Sequence, residues 1–181
     1  VSASGTVTAN VADNLDYSAN TNIATVDAFV IAANKTGSFS AAQGAKTITL
    51  GSGSIAKVIA ASDISGTTLS ASVTKIDVSN SATASLSAAQ AQLDITLGSG
   101  AVAKLKVSTG TDVSGLTLDS DVTEFIVTSG TLTVSTAQAT GRVISGAGGV
   151  TVNALAADAN LSNVSASGTV TANVADNLDY S

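Results

Sequence analysis

Four carboxylates, Asp112, Asp119, Asp121 and Glu124, fall within 13 residues. Calcium takes clustered oxygen ligands, so this stretch admits a calcium site. The plainer reading is a solvated acidic edge that discourages unwanted strand pairing. Threonines recur in pairs at Thr6/Thr8, Thr47/Thr49 and Thr131/Thr133. A flat threonine ladder is one way to bind ice, but these pairs do not form a continuous array, and β-propensity accounts for them. Asn10, Asn14, Asn20, Asn22 and Asn153 are candidates for amide ladders between stacked strands, or for ordinary turns. Asn34-Lys35-Thr36 and Asn163-Val164-Ser165 match the glycosylation sequon, a pattern that chance produces in a chain rich in Ser, Thr and Asn.

Nothing in the chain assembles into catalysis. It has no His and no Cys, which removes the commonest general base, the thiol nucleophile and the thiolate metal ligand. The bases Lys35, Lys46, Lys57, Lys75, Lys104, Lys106 and Arg142 are scattered, and only Tyr17, Tyr180, Phe29, Phe39 and Phe125 are aromatic. A polysaccharide-cleaving β-helix would need clustered acids with basic partners and aromatic platforms. We therefore expect no enzyme, and no cofactor beyond the calcium candidate. The 13 acidic and 7 basic residues give a net charge of −6, which argues against nucleic acid and anionic membrane as partners. No apolar run is long enough to span a membrane as a helix.

The elements that would position these residues come from repetition. Residues 1–18, VSASGTVTANVADNLDYS, return unchanged at 164–181, a period of 163 residues. Residues 1–163 are thus one tandem repeat and 164–181 the start of the next. Inside the repeat, GSFSAAQ (37–43), ASLSAAQ (84–90) and LTVSTAQ (132–138) align, with Gln43, Gln90 and Gln138 spaced 47 and 48 apart. VDAFVIAA (26–33), VTKIDVSN (73–80) and VTEFIVTS (122–129) place Phe29, Ile76 and Phe125 in one column. Sub-repeats fall near 26–72, 73–121 and 122–163. The column intervals of 47, 49 and, to the next copy, 67 suggest coils of about 22–25 residues, seven to the repeat.

Short runs such as KTITLG, AKLKVS, TEFIVTS and GTVTANV alternate apolar with polar residues and end at Gly, Ser, Asn or Asp, as strands do. Alternation sends Val, Ile, Leu and the Phe29/Phe125 column inward and Thr or Ser outward. The SAAQ and VADN segments fit one helical turn or a corner. A row of immunoglobulin-like sandwiches would want about 100 residues each and an aromatic core residue, which these spacings and the absence of Trp do not offer. The expected fold is all-β: a parallel β-solenoid.

TASLSAAQ, VTKIDVS and GTVTANVAD, in an Ala/Ser/Thr/Val/Gly chain without Cys or Pro, resemble the repeat regions of giant bacterial surface proteins: adhesins and S-layer-like or haemagglutinin-like β-solenoids. The glycine-aspartate nonapeptides of calcium-loaded β-rolls are missing here. The resemblance implies a secreted, extracellular or cell-surface shaft. Its partners would be neighbouring copies of itself, end to end or side by side. The alternative is a module that binds a cell-surface carbohydrate or a partner cell through a repeated face.

Overall fold

The alternating Val, Ile, Leu and Thr runs form strands joined by tight corners. The computed structural model describes residues 5–174. In chain order the elements are β1 (Thr8–Val11), β2 (Leu15–Asp16), β3 (Ala28–Ile31), β4 (Thr36–Phe39), α1 (Ala41–Gly44), β5 (Thr47–Leu50), β6 (Ile55–Ala60), β7 (Val73–Val78), β8 (Thr83–Leu86), β9 (Asp94–Leu97), β10 (Val102–Val107), β11 (Thr111–Asp112), β12 (Val122–Val127), β13 (Thr131–Ser135), α2 (Thr136–Ala139), β14 (Val143–Gly146), β15 (Gly149–Leu155), β16 (Val164–Ala166) and β17 (Val170–Val174). Short 3-10 turns lie at Thr21–Ile23 and Gln90–Gln92. The fold is a parallel β-solenoid of about nine turns.

The residues group into two units, one of 1–84 with 93–102 and one of 85–92 with 103–181. In the first, sheets β1-β3-β5 and β2-β4-β6-β7-β9 run side by side along the turns. Phe29, Phe39, Ile31, Val58 and Ile76 are fully buried between them. The rings of Phe29 and Phe39 meet at 4.7 Å, and Tyr17 stacks on Phe39 at 6.0 Å. In the second unit the sheets are β16-β14-β12-β10-β8 and β11-β13-β15-β17. Their core is aliphatic apart from Phe125: Leu105, Leu132, Ile144, Val134, Val150 and Val152. Phe29, Ile76 and Phe125 all point inward, as alternation requires.

Coils are shorter than the sub-repeat spacing suggests. Thr8 faces Ala28, Ala28 faces Thr47 and Ile144 faces Val164, steps of 20, 19 and 20 residues. The reason is that a sub-repeat is not a whole number of turns. Phe29 stacks under Ile48, the chain then crosses to the neighbouring sheet at Val58, and Val58 stacks under Ile76. Two turns plus one step between sheets make the 47-residue interval. Hence β7, the first strand of a sub-repeat, pairs with β6, the fourth strand of the one before. In the second unit β12 pairs with β10 in the same way.

Both transfers carry a β-bulge at the same repeat position, between Ala56/Lys57 and between Ala103/Lys104. The extra residue on the incoming strand shifts the alternation, so burial falls on Val73 and then Ile76, and on Val122 and then Phe125. Residues 164–174, the start of the second copy, take ordinary strand positions: β16 pairs with β14 and β17 with β15, both parallel.

Candidate functional site

The repeated glutamine is a fastener between turns. In SAAQ, Ser40 caps α1 by accepting from the Gln43 amide, while Gln43 Oε1 accepts from the Ser40 amide. This reciprocal capping box satisfies donors that a helix start leaves open. Gln43 Nε2 then donates to Asn20 O at 3.0 Å, 23 residues back. Ser135 and Gln138 repeat the box at α2, with Gln138 Nε2 donating to Val113 O at 2.6 Å and Leu116 O at 2.9 Å. Ser87 and Gln90 make the same reciprocal pair. Sequence spacing marked these glutamines as a register but not as the hydrogen-bonding device. A buried amide recurring after Ser-x-x was the signal.

Each α-turn is followed by a cation that reaches a backbone carbonyl one coil back. Lys46 Nζ donates to Ala24 O at 3.0 Å and also to Val26 O. Arg142 donates from Nε to Val122 O at 3.1 Å and from Nη1 to Gln138 O at 3.0 Å, with its guanidinium 5.5 Å from the Phe125 ring centre. Burial lowers the Arg142 pKa from its usual value. Beside these cations lie two shallow hollows at equivalent repeat positions. One, of about 400 Å³, is lined by Ser18, Asn20, Ser40, Gln43 and Lys46. The other, of about 380 Å³, is lined by Ser114, Thr117, Ser135, Gln138 and Arg142.

Three of the four clustered carboxylates go to separate tasks, and the fourth residue, Asp121, takes part through its backbone amide. Asp112 accepts from the Ser114 amide at 2.9 Å and hydroxyl at 2.7 Å, which lowers its pKa below the ordinary aspartate value. Asp119 accepts from the Asp121 amide at 2.9 Å, closing the turn into β12. Glu124 pairs with Lys104 at 2.6 Å. Among the described residues no three acidic, His or Cys side chains group around a common point.

Four of the scattered bases, Lys104 among them, form ion pairs across turns. Lys57 meets Asp77 at 2.5 Å, Lys75 meets Asp94 at 2.5 Å and Lys35 meets Asp13 at 3.1 Å. The hydrogen bond to Asp94, and then its charge, raise the Lys75 pKa. These pairs are partly exposed and each contributes little. Their signal was a base and an acid about one coil apart, visible only once the coil is known to be near 20 residues.

Outward residues form short columns. Asp112, Thr133, Thr151 and Thr171 stand in register on β11, β13, β15 and β17. Of the paired threonines, Thr8 and Thr47 flank Ala28 in one column, which breaks that ladder. Asn153 takes part in an amide contact, accepting from Asn173 Nδ2 at 2.9 Å. Asn14 accepts from the Thr36 amide across one coil, and Asn20 from the Asn22 amide within its turn. Asn34 of the first sequon sits in a corner with φ 58°. Asn163 of the second supplies its carbonyl to the Ile144 amide. Comparison with protein-family models, with curated proteins and with solved structures found no match.

Proposed function

We propose that this chain is a structural repeat of an extracellular bacterial fibre, sheath or adhesin shaft, whose copies stack head to tail. The observation that carries the reading is the placement of residues 164–174. They repeat the opening of the copy without change, and they lie on β14 and β15 as the next turn of the stack. A solenoid turn cannot bury its own faces; its neighbours do. Turn-to-turn ion pairs, Gln fasteners and parallel backbone bonding all serve that stacking, and a stack with tight corners resists proteolysis. Mechanical reach is the work such an arrangement does best.

The test has two arms. Antibody labelling of intact and of opened cells reads location; labelling confined to opened cells sinks the extracellular shaft. Purified chains with different numbers of 163-residue copies read length. At about 20 residues per turn and ~4.8 Å between turns, each copy should add about 39 Å. A second reading, carbohydrate binding on a repeated face, is favoured by the two equivalent hollows beside Lys46 and Arg142. Saturable binding to a glycan array, lost on substitution of Thr117, which lines the second hollow, would move that reading to the front.

A further inference from the structure

Residues 5–11 and 168–174 have one sequence and two sets of neighbours. The first set lies under β3. Val7 O accepts from the Asp27 and Ala28 amides, Val11 O accepts from the Ala32 amide, and the Val7 amide donates to Asp27 Oδ2. The second set lies over β15. Thr169 O accepts from the Val150 amide, and Asn173 Nδ2 donates to Asn153 Oδ1. Thr169 is the counterpart of Thr6, and Asn173 of Asn10. Carbonyls of successive strand residues point to opposite sides. The groups used toward β15 are therefore not those used toward β3, and one strand can hold both partners at once.

Two further differences agree. A Cβ on Gly168 would lie 2.5 Å from Gly148 C and O, whereas one on its counterpart Gly5 would meet nothing within 4 Å. The glycine is required only where a preceding copy lies beneath it. Val11 is 0% exposed under the following turn, while its counterpart Val174 is 55% exposed.

We propose that β14, β15 and the Gly148 corner form an interaction surface whose partner is the start of a second copy of this chain. That start, residues 5–11, offers its other side to its own β3, so tandem copies join strand on strand with no cap between them. The proposal rests on the head-to-tail part of the reading above and not on the cellular location. Location can fail while the junction stands, and the reverse.

Hydrogen exchange on the 181-residue chain tests it. Gly168→Val should raise exchange at the Val150 and Ser167 amides by about 100-fold or more, with Thr128 in the same unit unchanged. Gly5→Val, the same substitution at the same repeat position, should leave all three unchanged. Asn173→Ala is the milder pair to Asn10→Ala, and only the former should raise exchange at Val150, several-fold. A peptide of residues 164–174 added to the Gly168→Val chain should restore protection at Val150; the peptide carrying the same valine should not. Full protection in Gly168→Val, equal damage from Gly5→Val, or failure of the wild-type peptide to restore protection would each overturn the proposal. If Gly168→Val also exposes Thr128, the Asn173/Asn10 pair decides.

Discussion

The α1 turn of the first unit and the α2 turn of the second are built from the same Ser-x-x-Gln box but anchor to different foundations. Gln43 reaches one carbonyl, Asn20 O, in a 3-10 turn that Asn20 itself caps by accepting from the Asn22 amide. Gln138 reaches two, Val113 O and Leu116 O, in a corner that Asp112 and Ser114 close. Lys46 follows the first turn and Arg142 the second, and both cap carbonyls one coil back. The repeat therefore conserves the local box within the chain and lets the acceptor vary. The difference comes from what the preceding coil presents, which a sub-repeat of two turns plus one step changes each time.

The core beneath each turn should give the largest effects. Phe29→Ala and Phe125→Ala should each cost about 3–5 kcal/mol, read as a fall in thermal or denaturant midpoint. Phe29 loses its ring contact with Phe39, whereas Phe125 loses the surface under Arg142. Arg142→Met should therefore soften the effect of Phe125→Ala in a double-mutant cycle. Additive effects would mean that the two side chains are not coupled.

The anchors come next. Gln138→Ala removes two hydrogen bonds, leaving Val113 O with the Leu116 amide alone and Leu116 O without its side-chain partner, and should cost about 2–3 kcal/mol; Gln43→Ala removes one and should cost about 1–2. Equal losses would mean that the foundation does not matter and that the box alone supports the turn. Below these, Ser40→Ala and Ser135→Ala should each cost about 1 kcal/mol, and by similar amounts, because the two caps have the same geometry. A large difference between them would move the contrast from the foundations to the turns.

Much of this was legible in the sequence. Alternation marked the strands and sent Phe29, Ile76 and Phe125 inward, and the SAAQ segments, which fit one helical turn or a corner, are a helical turn at α1 and α2 and a 3-10 turn at Gln90–Gln92. Coil length was not legible, because equivalent residues such as Phe29 and Ile76 lie two turns and one sheet step apart, so dividing their interval by two overstates the coil. That error also hid the ion pairs: Lys57 and Asp77, or Lys104 and Glu124, look unrelated until a coil of about 20 residues stacks one on the other. The acidic cluster looked like one site because Asp112, Asp119, Asp121 and Glu124 are close in sequence. Folding separates them, since a corner, a turn and a strand face each claim a carboxylate for a local donor or a cation.

The smallest effect separates the two foundations by acid. Asp112 has its pKa lowered mainly by the Ser114 hydroxyl and then by the Ser114 amide. A carboxyl whose folded pKa is depressed adds stability that is present above its unfolded value and is lost as pH falls through the folded one. The corner under α2 should therefore loosen at pH below the ordinary aspartate range, while the corner under α1, closed by the neutral side chain of Asn20, should not. Carboxyl carbon shifts followed through an acid titration should place the Asp112 midpoint below the ordinary aspartate value, and Ser114→Ala should bring it back toward that value. Exchange at the amides of Gln138 and Thr140 should rise over the same pH window after correction for intrinsic rates, and those of Gln43 and Ala45 should stay flat. A rise at both turns together would assign the acid response to the whole chain and remove the distinction between the two foundations.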